Sequence, residues 1–130
     1  MLQESKRNYI AGEWLAGASD IENRNPSDLS DLVGMYAQAD AAQLNLALTA
    51  AKEAQRVWGK SGIERRYTAL MAIGAELMAR AEELGQLLSR EEGKPLAEGR
   101  GEVYRSGQFF TYYAAETLRQ ISDNADSVRD

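Results

Sequence analysis

The sequence predicts a mainly α-helical chain with a small β layer at its N-terminal end, on two observations. Apolar residues recur three and four positions apart from residue 44 to residue 118, as they do along one face of a helix. Before residue 39 the chain instead holds short runs with tyrosine and tryptophan, separated by glycine, proline and asparagine, which is typical of strands and turns. We therefore expect a β layer over residues 1–38, three helices within residues 39–122 and a polar tail over residues 123–130.

The β layer begins with a predicted hairpin whose turn is Ala11-Gly12. Alanine is poorly suited to positive φ, so we expect a type II turn in which only Gly12 adopts it. A second extended piece is predicted at residues 21–24, and proline with short polar side chains predicts a turn at residues 25–28. Residues 32–37 predict a strand that is apolar on both faces and therefore needs cover on both sides.

The first two helices are each predicted to begin at a capping motif. The first covers residues 39–59, with Asp40 as its cap and Gln43 completing a variant of the capping box. The second covers residues 61–92 and begins at a Ser-x-x-Glu capping box. Its apolar stripe runs for about 30 residues, which predicts one helix of roughly 45 Å at 1.5 Å per residue.

The third helix is predicted over residues 95–121. Gly93 predicts the end of the second helix, and Pro95 predicts the first turn of the third. Three glycines give this helix a thin surface for a close neighbour, at a cost of up to about 1 kcal/mol each relative to alanine. They are Gly99, Gly101 and Gly107.

The composition excludes several classes of function. A formal charge of −5 over 130 residues argues against a nucleic-acid partner, because phosphate binding needs a basic face. The chain has no cysteine and no histidine, which excludes thiolate metal sites, a thiol nucleophile and Ser-His or Cys-His catalysis within it. No apolar run approaches the roughly 20 residues that span a bilayer. The first residues hold no apolar signal region, so we expect no membrane contact and a cytoplasmic location.

Residues 90–99, REEGKPLAEG, hold the densest cluster of candidate chemistry. Lys94 lies beside carboxylates, but we expect a lysine at a joint between helices to be exposed to solvent and not to act as a nucleophile. Glu91 and Glu92 are neighbours on a helix and do not face each other, which argues against a catalytic carboxylate pair. One carboxylate of this stretch could instead bind a hard cation together with backbone carbonyls.

The third predicted helix holds two further candidate features, a glycine run and an aromatic cluster. The run Gly99-Arg100-Gly101 has the outline of a dinucleotide-binding loop, but Tyr104 stands where the third glycine belongs, and the run lies inside a helical pattern. Four aromatic residues at positions 109, 110, 112 and 113 exceed what one helix face can bury. At least two of them are either covered by something beyond this chain or line an opening. The residues by themselves do not yield a function.

Several short motifs occur in the order found in aldehyde dehydrogenases, which the chain resembles from about residue 7 to residue 122. The most specific of them is Gly93-Lys94-Pro95, which begins 35 residues after Trp58. The others are residues 9–14, 25–28, 50–58, 65–70, 77–84, 96–103 and 112–114. The runs at residues 25–31 and 91–94 most resemble the members that oxidise semialdehydes, such as 2-oxoglutarate semialdehyde dehydrogenases.

The resemblance implies an α/β fold in which this segment is the N-terminal part of the cofactor-binding domain. It implies an enzyme that oxidises an aldehyde to a carboxylic acid with NAD or NADP and that is a homo-oligomer when complete. The family's catalytic cysteine, glutamate and asparagine, its cofactor-binding unit and its oligomerisation strand all follow the matched region. We therefore expect this chain to hold no catalytic residue, to bind no cofactor and to be inactive alone, since it has no thiol.

A monovalent cation site carries over from the resemblance. In several family members the cation is bound by an acid just before the Gly-Lys-Pro step and by carbonyls just before Asn-Pro. The matching positions are Glu91 and the carbonyls of Asn23 and Arg24. This sequence has glutamate where aspartate is common, which changes the reach of the side chain.

A substrate-entrance stretch carries over as well. The middle of the third helix borders the substrate entrance in the family, and Arg105, Ser106 and Phe109 match it. A guanidinium suits a carboxylate, so Arg105 is a candidate contact for the acid group of a semialdehyde. From the residues alone, Arg105 is an ordinary arginine on a solvated helix face.

An alternative of a different class stays open, namely a non-catalytic helical interaction module or the remnant of a truncated gene. Uncovered apolar faces fit both interpretations and predict dye binding or self-association. The sequence leaves open which aldehyde is used, whether NAD or NADP is preferred and how many subunits assemble.

Overall fold

A computed structural model describes residues 5–119, which form four strands and four helices. The strands are β1 (Asn8–Ile10), β2 (Glu13–Leu15), β3 (Ser19–Arg24) and β4 (Leu32–Gln38). The helices are α1 (Ala41–Trp58), α2 (Ile63–Ala79), α3 (Ala81–Glu92) and α4 (Leu96–Glu116). The fold class is confirmed as mainly helical with small antiparallel strand pairs. The predicted tail at residues 123–130 lies outside the described residues. The predicted end of the last helix at residue 121 is wrong, because α4 ends at Glu116, where the hydroxyl of Thr117 donates to the Ala114 carbonyl at 2.7 Å.

The described residues form two compact units. The first contains the residues up to 59 together with Arg90–Gly93, and the second contains Lys60–Ser89 together with the residues from 94 onward.

The hairpin of the first unit forms as predicted, but its turn differs. β1 pairs with β2 in antiparallel register, and the rings of Tyr9 and Trp14 lie 4.9 Å apart. Ala11 has φ 55° and Gly12 has φ 89°, so the prediction that only Gly12 takes positive φ is wrong. Two successive positive φ values are typical of a type I′ turn, whose twist matches that of the flanking strands. The strand twist therefore outweighs the steric cost at Ala11.

The second sheet of the first unit pairs β3 with β4 in antiparallel register. The predicted turn between them is confirmed, because the Asn25 side chain accepts from the Ser27 amide at 2.9 Å and the Asn25 carbonyl accepts from the Asp28 amide at 3.1 Å. Lys6 adds to the other edge of β4, since its amide donates to the Met35 carbonyl at 2.8 Å.

Helix α1 begins at the predicted cap, where Asp40 Oδ1 accepts from the Gln43 amide at 2.8 Å. The Gln43 side chain does not serve the predicted capping box. Its amide nitrogen donates to the Ala16 carbonyl at 2.6 Å, and its oxygen accepts from Asn8 at 3.2 Å. Gln43 therefore ties the start of α1 to the β hairpin. No residue of α1 is buried.

The single helix predicted over residues 61–92 is wrong, because the structure has two helices that meet at Arg80. Arg80 has φ −101° and ψ 15°, which interrupts the helix for one residue. Apolar spacings of three and four continue across such a break, so periodicity does not reveal it. The sequence does mark the start of α3 with two acids, Glu82 and Glu83. They lie in its first turn, where the helix dipole favours negative charge. The N-cap of α2 is Gly62 rather than the predicted Ser61.

Helices α3 and α4 are separated by the predicted Gly-Lys-Pro joint. Gly93 has φ 69°, the left-handed conformation that commonly ends a helix. Pro95 is the N-cap of α4 rather than its first helical residue, so α4 begins at Leu96.

Glycines set two close helix crossings in the second unit. A Cβ atom on Gly99 would lie 2.6 Å from the carbonyl oxygen of Gly85 in α3, and one on Gly107 would lie 2.8 Å from that of Gly74 in α2. The predicted thin surface of α4 is therefore confirmed at Gly99 and Gly107. It is wrong at Gly101, whose side is open.

Few apolar side chains are buried in the described part of the chain. The buried ones are Ile10, Val33, Val103 and Ala114. Large apolar side chains are instead exposed on both units, including Leu44 and Leu48 of α1 at 56% and 60%. None of the helices within residues 5–119 has the length and hydropathy needed to cross a bilayer.

Candidate functional site

Glu91, the acid of the predicted cation site, bonds to the β3–β4 sheet of the first unit. Its Oε1 atom accepts from Nδ2 of Asn23 at 2.9 Å and from the hydroxyl of Tyr36 at 3.0 Å. All three residues are half-buried. The structure therefore brings two of the three predicted site residues into direct contact.

The side chain of the third predicted residue, Arg24, makes its contacts away from Glu91. Its guanidinium pairs with Glu22 at 2.7 Å and donates to the Leu29 carbonyl at 3.0 Å. Both contacts are local to the β3–β4 turn, so the positive charge of Arg24 is already matched by an acid.

The β3–β4 ladder is irregular at the two residues whose carbonyls were predicted to bind a cation. Asn23 pairs with Gly34, whereas Arg24 pairs with Leu32, so Val33 has no residue opposite to it. A bulge of this kind leaves backbone groups without their regular ladder partners. The carbonyls of Asn23 and Arg24 thus belong to the irregular part of the sheet, next to the contact that Asn23 makes with Glu91.

Tyr36 is a member of this cluster that the sequence did not reveal. Burial, followed by the hydrogen bond to the Glu91 carboxylate, raises the pKa of Tyr36. Its hydroxyl therefore stays protonated near neutral pH and donates to Glu91. In a strand that is apolar on both faces, a tyrosine is expected to pack in the core. Its partner, Glu91, lies 55 positions away, so no local motif marks Tyr36 as a hydrogen-bond donor.

Arg90, the residue before Glu91, binds Asp31 through both carboxylate oxygens, at 2.6 Å and 2.9 Å. These bonds, together with one from Asn25, lower the pKa of Asp31 to about 2. Ser27 also donates to the Gly93 carbonyl at 2.8 Å. Residues 90–93 are thus fixed to the first unit on both sides of Glu91.

The ligand types at this cluster fit a hard monovalent cation. They are a carboxylate, an amide oxygen and backbone carbonyls, and hard cations prefer oxygen ligands. The second carboxylate oxygen of Glu91, Oε2, makes no hydrogen bond within the described residues. Residues 5–119 hold no group of three or more acidic side chains that could bind a metal ion. With one acid, the cluster suits a singly charged ion better than a divalent one.

The predicted substrate-entrance residues lie on the second unit, and the structure places only two of them together. Arg105 and Phe109 line a shallow depression of about 310 Å³ on α4. The other lining residues are Gln108, Tyr112 and Tyr113. Ser106 is not among them, and its hydroxyl donates to the Glu102 carbonyl of its own helix at 2.9 Å.

The aromatic residues of α4 are more exposed than the helical pattern predicted. Tyr113 is 59% exposed and meets Tyr112 edge to face at 5.3 Å. Phe109 is 55% exposed. Together with Gln108, these side chains surround Arg105 with no acid among the lining residues. The depression can therefore offer a guanidinium and an apolar wall to an anion.

The contacts of Lys94 and of residues 99–101 bear on two other candidates, a lysine nucleophile and a dinucleotide-binding loop. Lys94 was expected to be exposed, but only 16% of its side chain is accessible and its ammonium lies 2.6 Å from Glu102. A lysine neutralised by this partner is a poor nucleophile. The run from Gly99 to Gly101 lies inside α4, where Gly99 packs on Gly85. The prediction that this run is helical is confirmed.

Comparison with known proteins gives the context for both regions. A model of the aldehyde dehydrogenase family matches residues 14–129. The alpha-ketoglutaric semialdehyde dehydrogenase of Bacillus subtilis is 34% identical over 123 residues, which are 93% of this chain and 25% of that protein. The alpha-ketoglutarate semialdehyde dehydrogenase of Haloferax volcanii is 30% identical, over 88% of this chain and 24% of that protein.

A solved structure gives the same result. The NAD-dependent aldehyde dehydrogenase of Sinorhizobium meliloti superimposes with a TM-score of 0.82 at 26% identity, over 88% of this chain and 24% of that one. The chain thus spans about a quarter of the length of the curated relatives it matches.

Proposed function

Because the chain belongs to the aldehyde dehydrogenase family, we propose that it is the N-terminal segment of an NAD(P)-dependent semialdehyde dehydrogenase. The complete enzyme oxidises the aldehyde group of a small acid to a second carboxylate, and NAD or NADP accepts the hydride. In this proposal the cofactor and the catalytic groups belong to the part of the relatives that this chain does not match. The segment alone is inactive.

The observation that carries the choice of a semialdehyde is Arg105 in its depression on α4. A guanidinium that is flanked by Phe109 and Tyr112, with no acid in the lining, is suited to the carboxylate of a substrate. The names of the Bacillus and Haloferax relatives support the same class of substrate, since both names give a semialdehyde that carries one carboxylate beside its aldehyde group.

A monovalent cation is the second ligand that we propose. Glu91 supplies one carboxylate oxygen, and the carbonyls of Asn23 and Arg24 supply neutral ones. An ion bound there would fix the β3–β4 sheet to residues 90–93, so its role is structural rather than catalytic.

A chimera tests the function. This chain replaces the matching 123 residues of the Bacillus subtilis relative, and NAD(P)H formation is followed with 2-oxoglutarate semialdehyde. We expect turnover from the chimera and none from the 130-residue chain alone. A chimera that assembles as the relative does but shows no turnover would instead favour a non-catalytic interaction module.

Arg105→Lys in the chimera separates carboxylate binding from general damage. Loss of the bidentate contact should raise KM for the semialdehyde by about tenfold and leave KM for a neutral aldehyde of the same length unchanged. Arg65→Lys, an exposed arginine of α2, is the matched control and should alter neither value. An equal effect of Arg105→Lys on both substrates contradicts the carboxylate contact.

A further inference from the structure

We propose that Tyr36 is a positioning residue for the monovalent cation site, holding Glu91 so that one carboxylate oxygen is free for the ion. The proposal rests on the cation site put forward above and adds a residue to it. Its starting point is the asymmetry of the Glu91 carboxylate, in which Oε1 accepts two hydrogen bonds and Oε2 accepts none within the described residues.

The two hydrogen bonds to Oε1 make the two oxygen atoms of the Glu91 carboxylate inequivalent. The amide of Asn23 and the hydroxyl of Tyr36 point hydrogen atoms at Oε1, at 2.9 Å and 3.0 Å, and these hydrogens repel a cation at that oxygen. Oε2 keeps its lone pairs and carries the attraction for the ion. The ion is therefore directed to Oε2, and the hydrogen bonds decide which oxygen becomes the ligand.

The same bonds remove a cost from binding. A free glutamate side chain loses rotamer freedom when it is fixed, and this loss of entropy opposes binding. Asn23 and Tyr36 fix it in advance, so cation binding does not have to. Asn23 also supplies a backbone carbonyl at the bulge, which makes Tyr36 the one member of the pair whose role is positioning alone.

Nearby positive charges do not oppose the ion, because each is matched by an acid. Arg90 is bound to both oxygens of Asp31, and Arg24 is bound to Glu22. The negative charge of Glu91 has no such cationic partner in the described part of the chain, since its two bonds come from neutral groups. A cation at Oε2 would supply the missing charge.

The test measures cation binding by the 130-residue chain without any enzyme assay. Sodium binding is followed by the broadening of the sodium-23 resonance, and the Tm is compared in sodium chloride and choline chloride at about 0.1 M, where both salts screen surface charge over about 10 Å. We expect a higher Tm in sodium chloride and a saturable broadening for the wild type. Glu91→Gln should lose both.

Tyr36→Phe keeps the ring and removes the hydroxyl, and we expect its sodium Kd to rise by about threefold to tenfold, within the range for the net effect of one typical hydrogen bond. Asn23→Ala keeps the backbone carbonyl and should shift Kd in the same direction, which guards against a variant that fails to fold. Tyr104→Phe, at an exposed tyrosine of α4 outside the Arg105 depression, is the matched control and should leave Kd unchanged.

The outcomes separate the two proposals. A wild-type chain that does not distinguish sodium from choline overturns the cation site and the role of Tyr36 with it. A wild type that binds sodium while Tyr36→Phe binds it equally well, or more tightly, overturns the role of Tyr36 and leaves the cation site standing.

Discussion

Arg90 donates two hydrogen bonds to the carboxylate of Asp31, from Nη2 to Oδ1 at 2.6 Å and from Nε to Oδ2 at 2.9 Å. The two residues are 59 positions apart in sequence. The pair lowers the pKa of Asp31 from 3.8 to about 2, so the folded state favours the ionised carboxylate. The resulting stabilisation is complete above pH 3.8 and is lost as the pH falls from there through about 2.

The first prediction follows from this pair. Asp31→Asn should lower the urea midpoint by a constant amount at neutral pH, and the difference from the wild type should shrink as the pH falls below about 4. In an Arg90→Gln background the same substitution should lose its pH dependence. If the difference in urea midpoint between the wild type and Asp31→Asn stays constant down to pH 2, the Arg90 pair does not lower the pKa of Asp31.

The turn at Ala11 gives the second prediction. Ala11 holds φ 55°, a left-handed conformation that costs an L-residue about 1 kcal/mol, whereas asparagine before glycine is favoured in type I′ turns. Ala11→Asn should raise the free energy of unfolding by about 1 kcal/mol in urea titrations. Ala16→Asn, at an exposed position after the hairpin, is the control with no expected gain. A loss of stability in Ala11→Asn would argue against the type I′ geometry.

The third prediction concerns two glycines of the second unit, Gly85 and Gly101. A Cβ atom on Gly85 would lie 2.7 Å from the Cα atom of Arg100, whereas one on Gly101 would meet nothing within 4 Å. Gly85→Ala should cost about 1–3 kcal/mol through overpacking, while Gly101→Ala should gain up to about 1 kcal/mol of helix propensity. Thermal unfolding of both variants measures the contrast. Equal effects would mean that α3 and α4 do not cross at Gly85.

The exposed side chains of α1 give the fourth. The chain should bind an apolar-surface dye or self-associate, because Leu44 and Leu48 lie one helical turn apart with more than half of each side chain exposed. Leu48→Gln should reduce dye fluorescence or the associated fraction in sedimentation, and change stability by less than about 0.5 kcal/mol. Lys52→Gln is the polar control. A monodisperse wild-type chain without dye binding would contradict the prediction.

Local signals predicted most of the fold. The cap at Asp40, the turn at Asn25 and the helix stop at Gly93 each depend on neighbours within a few residues, and each is confirmed. The break at Arg80 was missed because one non-helical residue leaves the apolar spacing intact. Ala11 was misjudged because the twist of a hairpin, rather than the preference of one residue, selects its turn.

The candidate site was less predictable, because its contacts join residues that are far apart in sequence. Family resemblance selected Glu91 and Asn23, and the structure brings them into contact. Tyr36 could not be found in this way, since nothing near it in sequence marks it as a hydrogen-bond donor. Ser106 was misplaced because neighbouring residues of a helix point about 100° apart, so it does not share the face on which Arg105 and Phe109 lie.

The long separations within the first unit also set an order of events when the chain is made. The hairpin and the β3–β4 pair can form from neighbouring residues, but the bonds from Asp31 to Arg90 and from Asn23 to Glu91 close loops of 59 and 68 residues. On a ribosome these bonds must wait until Glu91 has left the exit tunnel. The part of the chain that is synthesised first is therefore completed late, and until then its sheet edges are open to other contacts.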